Sequence, residues 1–383
     1  MTEPSADNKE TPQSVAIPID SKTHLAYLDG LRALAALYVF LYHARCQTLL
    51  PGKIQGLFEL ITYHVFAYGA EAVTLFIMLS GFCLMLPVLK NQCVLRGGAL
   101  HFFKKRAKRI VPPYYFAIVF SIVLIYFFIG HKTGSEWDSS ISVTTGGLIT
   151  HILLVQDLFP RYQGEIDHPL WSISLEWRIY FLFPLIVYLW RTHGPVRSTL
   201  LVCAASLIIT AVVGHFFNYR PSIQYVAIFD LGVLAAGLAY SNDAVLSAHR
   251  NRPWKLFTAL FFIAFIYFEW TNPQKNAECT TLFALFGLCF LVAASKPVTS
   301  AGGRFLGSQA LAFIGTFSYS IYLIHAPLLQ MLVQYPLHAL SERPMILFWV
   351  LALVGTPIII AISYVFHRLF ERPFMNTKPI REV

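Results

Sequence analysis

Residues 28–46 read LDGLRALAALYVFLYHARC, an apolar run of helix length with Arg32 near one end and His43 in the other half. An arginine at the centre of a membrane-spanning helix costs about 2.5–3.5 kcal/mol on insertion scales, so its presence needs a reason. At about 3.6 residues per turn the spacing from Arg32 to His43 is close to three turns, which puts both on one face. At about 1.5 Å per residue they stand roughly 16 Å apart along the axis. Asp29 lies one turn before Arg32 on about the same face. A polar stripe on an apolar helix points into a bundle or a wet cavity rather than at lipid. A single such residue is explained by helix packing; two in phase favour a functional role.

The whole chain shares this character. Of its 383 residues 56% are hydrophobic, 15% aromatic and only 13% charged, where soluble domains are about 25% charged. Composition predicts an all-α, polytopic membrane protein embedded in a lipid bilayer. The first 24 residues are polar with no apolar core, which predicts a disordered cytoplasmic tail rather than a cleavable signal peptide. In a soluble protein a net charge of +9 would raise nucleic acid as a partner. Here the basic residues read as topology signals, and no nucleic acid is expected. The six cysteines are scattered without metal-like spacing, so buried thiols are expected and no metal site.

A membrane span needs about 20 apolar residues. The runs 28–49, 67–89, 111–130, 171–190, 199–217, 222–240, 255–270, 279–295, 309–334 and 346–370 qualify, giving about ten spans. The run 143–159 is short and broken by polar residues, and is expected to be re-entrant or interfacial. Residues 90–110 hold Lys90, Arg96, Lys104, Lys105, Arg106, Lys108 and Arg109 with no acid, which assigns that loop to the cytoplasm. Counting from there places 131–170 outside and both termini inside. The expected organisation is a tail (1–24), a transmembrane domain (25–374) and a short cytoplasmic tail (375–383).

On this topology His43 lies in the outer half of its helix. Glu71, Glu176 in HPLWSISLEWRIYFLFP and His325 in FSYSIYLIHAP reach a comparable depth, so the four are expected to meet in one cavity. Asp157, Glu165 and Asp167 read as a solvated outer loop. A neutral histidine can take a proton from an alcohol attacking a carbonyl, typically worth about 10²–10⁴ in rate. Arg106 and Arg109 are one turn apart on one face and can grip phosphate in bidentate fashion.

These residues resemble the acyltransferase family 3 membrane proteins, which O-acylate polysaccharides, peptidoglycan, lipid-linked glycans and some antibiotics. The likeness rests on Arg32-x10-His43, FIMLSGF, FKKRAKRIVPPYY, WSISLEWRIYFLFPL, FSYSIYLIHAPL and the closing FERPF, in that order. It implies a ten-helix fold in a bacterial cell membrane that moves an acyl group, usually acetyl, from cytoplasmic acyl-CoA to a hydroxyl outside. The acceptor implied is a glycan or lipid-linked saccharide. By the same resemblance His43, Arg32 and Glu176 are catalytic candidates, joined by Glu71 for its depth, and Arg106 and Arg109, with Lys105 of the same basic cluster and Arg32, are expected to bind acyl-CoA. Tyr322, His325, Trp171 and Ser80 are then expected to line the acceptor side. No bound cofactor is implied, since acyl-CoA is the donor substrate. No hydrolase-like domain follows the tenth span, so direct transfer is expected. The competing class is a proton-coupled transporter or glycan flippase, which also uses intramembrane Arg, His and Glu; no inverted repeat is visible to favour it.

Overall fold

The computed structural model describes residues 25–49, 56–217, 222–272, 276–296 and 301–375, so both expected tails lie outside it apart from Met375. Among the described residues the chain is helical throughout, with no strand. The first half holds α1 (Ala26–Thr48), α2 (Leu57–Val65), α3 (Gly69–Lys90), α4 (Gly98–Leu124), α5 (Thr145–Ile152), α6 (Trp171–His193) and α7 (Pro195–Phe217). Then come α8 (Gln224–Tyr240), α9 (Ala244–His249), α10 (Trp254–Thr271), α11 (Asn276–Ala294), α12 (Ala301–Leu306) and α13 (Gln309–Thr316). The last are α14 (Ser318–Gln334), α15 (Pro344–Val350) and α16 (Thr356–Phe366), with π-helical turns at Ile125–Ile129, Leu351–Gly355 and His367–Glu371.

Every apolar run expected to span is helical. Six stretches are long and apolar enough to cross a membrane, and α13 with α14, bent by 73°, makes a seventh. The chain is therefore a multi-pass membrane protein. The other three predicted runs fall short of that standard for visible reasons: α1 carries Asp29, Arg32, His43 and Arg45, while α8 and the apolar part of α11 are short.

Burial sorts the helices into centre and rim. The most apolar window of the α10 stretch is only 6% buried and that of α7 17%, against 61% for the stretch containing α3. The rim helices turn large apolar side chains such as Leu200, Ile208, Ile263 and Trp270 outward, which suits lipid rather than water. At the centre α3 meets α8 backbone to backbone. A Cβ on Gly81 would lie 2.2 Å from the Phe229 carbonyl oxygen, and one on Gly232 2.1 Å from that of Met78. Small residues that let helices approach this closely are a membrane-packing device. α1 packs in the same centre, against α3, α13 and α14.

The 143–159 run forms α5 and a 3-10 turn at Gln156–Leu158. Eight residues rise only about 12 Å, well short of a hydrocarbon core of about 30 Å. The hydroxyls of Tyr114 and Tyr115 donate to the carbonyls of His151 and Ile152 at 3.2 and 2.7 Å and pin the segment to α4. The solvated reading of the nearby acids does not hold: Asp157, Glu165 and Asp167 are 3%, 5% and 1% exposed. Each has a partner that the sequence alone does not reveal. Asp157 pairs with Arg178, Glu165 accepts from the Thr144 hydroxyl at 2.8 Å, and Asp167 accepts from Ser121 at 3.0 Å.

Candidate active site

The two ends of the α1 stripe open into different surroundings. At the Arg32 end lies a cavity of about 420 Å³ lined by residues of α1, α3, α4, α6, α13 and α14 together with Glu371 and Met375. Arg32 spreads its fork across two partners, one nitrogen donating to Asp29 Oδ1 at 2.7 Å and the other to Cys83 Sγ at 2.9 Å. Arg106 and Arg109 line the same cavity, and the buried Nε of Arg106 has no hydrogen-bond partner in the protein. Glu176 is here too. It accepts from the Tyr180 hydroxyl, which in turn bonds Ser80 Oγ at 2.7 Å. The break between α13 and α14 brings Ser318 and Tyr319, in the first turn of α14, to the cavity wall, and a helix N-terminus favours anions.

At the other end His43 belongs to a separate group. Its Nδ1 lies 2.5 Å from Glu136 Oε1 and 3.2 Å from His168 Nε2. His168 is 3.5 Å from the same carboxylate oxygen and is fixed from behind by Ser140 Oγ at 2.9 Å from its Nδ1. The His325 ring stands 5.2 Å from that of His43, centroid to centroid. Its Nδ1 donates to the Tyr322 carbonyl at 2.7 Å, which leaves the buried Nε2 without a protein partner. Glu136 opens the short 3-10 turn Glu136–Ser139, outside the long helices. Burial pushes its carboxyl up, but His43 and His168 outweigh that and hold it well below the usual carboxylate range. An ionised Glu136 accepting the Nδ1 proton of His43 leaves the His43 Nε2 lone pair free to take a proton.

The His43, Glu136 and His168 donor atoms lie within 4.8 Å of one another, so the group also has a metal-ligand composition. Two ligands on tetrahedral zinc, at bonds of about 2.0–2.1 Å, stand about 3.3 Å apart. The 2.5 Å between His43 and Glu136 is a hydrogen bond instead.

The two regions meet at Tyr322. Its hydroxyl lines the cavity, bonds Ser172 Oγ at 2.6 Å and donates to the Pro169 carbonyl at 3.0 Å, next to His168. A group reaching the end of the cavity at Ser172 and Tyr322 is thus beside the histidines.

The single cavity expected for His43, Glu71, Glu176 and His325 is not what forms. His43 and His325 come together, while Glu176 and Ser80 lie with the arginines. Glu71 is not among the residues that line the cavity. The reason is rotational. Val73, Phe76, Ile77, Ser80 and Cys83 form the face of α3 that lines the cavity, and Glu71 is about 200° around the helix from Val73. Lys105 is exposed beside Arg106 and does not line the cavity, one residue step (about 100°) off the Arg106–Arg109 face. Trp171 likewise faces away, edge-on to Tyr225 at 6.1 Å. Glu136 and His168 were missed by sequence reasoning. The first is one acid of the polar 131–170 segment, and the second opens the HPLWSISLEW run, so neither has helical spacing to mark it.

Comparison with known proteins agrees with this picture. The O-acetyltransferase OatA of Staphylococcus aureus is 24% identical over 378 residues, covering 92% of this chain and 57% of that protein. The acyltransferase MdmB of Streptomyces mycarofaciens is 33% identical over 188 residues, 48% of this chain and 44% of that protein. This chain thus spans little more than half the length of the Staphylococcus protein. No solved structure matches it. The acyltransferase domain family matches residues 25–368, which covers α1 to the last π-helical turn and every group described above, and the chain belongs to that family.

Proposed function

We propose that this protein is an integral-membrane O-acyltransferase that carries an acyl group, acetyl by preference, from acyl-CoA to a hydroxyl of a glycan or lipid-linked saccharide. The observation that carries the proposal is the division of α1 between two chemistries. Arg32, Arg106 and Arg109 converge on one cavity, and His43, hydrogen-bonded through Nδ1 to the Glu136 carboxylate, stands beyond Tyr322 at its wall. Arginine forks suit the phosphates of coenzyme A. The thioester then reaches inward to Tyr322 and Ser172. There the acceptor hydroxyl gives its proton to His43 Nε2 as its oxygen attacks the thioester carbonyl. The carbon–sulfur bond breaks, and the coenzyme leaves as a thiolate that is reprotonated. His325, with a free Nε2 beside His43, is placed to hold the acceptor hydroxyl.

The topology belongs to the same proposal: ten spans, both termini in the cytoplasm, the arginine cavity facing the cytoplasm and the histidines facing out. The basic 90–110 loop supports this orientation. In a cysteine-free background, Ser139→Cys should react with an impermeant reagent added outside intact cells, and Gly97→Cys only after the membrane is opened. The reverse pattern would overturn the assigned direction of transfer. The activity is tested by incubating purified protein with labelled acetyl-CoA and an acceptor-bearing membrane extract. An O-acyltransferase releases coenzyme A and labels the extract; a carrier does neither.

A further inference from the structure

The FERPF stretch near the end of the chain carries a carboxylate that the proposed reaction leaves unused. Glu371 lies in the last π-helical turn, is 0% exposed, and lines the arginine cavity. One of its oxygens is fully engaged: Oε2 accepts from Ser320 Oγ at 2.6 Å and from His367 Nδ1 at 2.8 Å. The other, Oε1, is buried and has no hydrogen-bond partner. An unmet acceptor on a buried carboxyl group is unfavourable unless something donates to it. Two bonds hold this carboxylate in one orientation, so it is built to receive a donor at a fixed place.

The free oxygen is an acceptor, so the group that meets it must bring an N–H or O–H. The bond to Ser320 also places the carboxyl beside α14 between Tyr319 and Tyr322, two other residues of the cavity wall. The arginines and Tyr322 line the same cavity as Glu371.

We infer that Glu371 Oε1 accepts an amide N–H from the pantetheine arm of the acyl donor, fixing how far the thioester extends toward Tyr322. This rests on the acyl-CoA reading above and adds a specificity residue to it. Glu371→Gln is the informative change. Its carbonyl oxygen can keep the bonds to Ser320 and His367, while the free position becomes an NH₂ that opposes an N–H.

The test is equilibrium binding to full-length protein in detergent, with folding checked by the thermal transition. Three probes are used: acetyl-CoA, S-acetylpantetheine and adenosine 3′,5′-bisphosphate. The expected result is that Glu371→Gln weakens the first two about tenfold or more, the size of a lost bond to a charged acceptor, and leaves the bisphosphate unchanged. Ser320→Ala, which keeps the free oxygen, should stay within about threefold of wild type for all three. Equal losses for all three probes, or loss of the bisphosphate alone, would overturn the inference in favour of a structural or nucleotide-contacting Glu371. No loss with any probe would overturn it as well. Failure of the wild-type protein to bind acetyl-CoA or the bisphosphate would bring down the donor reading itself, and this inference with it.

Discussion

The two ends of α1 are built by different means. Around Arg32 nearly every contributor is a helix residue in register: Arg106 and Arg109 one turn apart on α4, Ser80 and Cys83 on α3, Glu176 and Tyr180 on α6. Around His43 only His325 comes from a long helix. Glu136 and His168 arrive from the 131–170 segment and its 3-10 turns. A helix fixes side-chain direction by periodicity, so the first region follows from spacing. A loop does not, so the second is set by tertiary contacts. The contrast predicts different behaviour on mutation, with binding lost at one end and turnover at the other.

The largest effect is expected at the histidine end. His43→Ala should lower kcat by about 10²–10⁴ while the KM for acetyl-CoA stays near wild type, because a general base acts in the transition state alone. A comparable rise in donor KM would erase the distinction between the two regions.

Glu136→Gln should lower kcat by less, about 10–100-fold, since Gln can still accept the His43 proton but cannot stabilise the charged ring. It has a second signature. The Glu136 carboxyl is held below its ordinary value, so its contribution to stability is present above the unfolded value and is lost as pH falls through the folded one. The wild type should therefore melt above Glu136→Gln at neutral pH, and thermal denaturation should show the gap closing as acid is added below about pH 4.5.

At the arginine end, the Arg106→Ala/Arg109→Ala double variant should raise the acetyl-CoA KM about tenfold or more at low salt, with kcat within about twofold and a shallower salt dependence than wild type. Arg32→Lys should be nearly as poor as Arg32→Ala, because a single ammonium cannot reach both Asp29 and Cys83 as the fork does. Full activity in the lysine variant would show that charge alone suffices.

The smallest effect is on stability, and its sign opposes that of Glu136. Burial pushes the Asp167 carboxyl up to about 8 against the opposing pull of Ser121 and His43. Stability from the neutral form is then present below its unfolded value and is lost as pH rises through about 8. Asp167→Asn should melt like wild type near pH 4 and several degrees above it near pH 9. A constant offset across that range would mean that Asp167 does not titrate there.

The helical framework was legible because a bilayer leaves the sequence few choices. Ten apolar runs were expected and all ten are helical, since backbone groups in lipid must bond internally. What spacing could not give was rotation and loop tertiary contact. Glu71 had the right depth but the wrong face of α3. Asp157, Glu165 and Asp167 looked solvated because acids in a polar loop usually are, yet Arg178, Thr144 and Ser121 bury them. Glu136 and His168 carry no periodic signal, and only the fold of 131–170 over α1 brings them to His43. Arg32, His43, Tyr322 and His325 were found because they sit on long helices at spacings a helix translates directly into faces.

The division of α1 into a binding end and a turnover end is tested most directly by equilibrium binding of acetyl-CoA to correctly oriented His43→Ala and to the Arg106→Ala/Arg109→Ala double variant. The account predicts wild-type affinity for the first, and for the second a loss of about tenfold or more at low salt that narrows as salt is added. Weakened binding in His43→Ala with unchanged binding in the double arginine variant would contradict it.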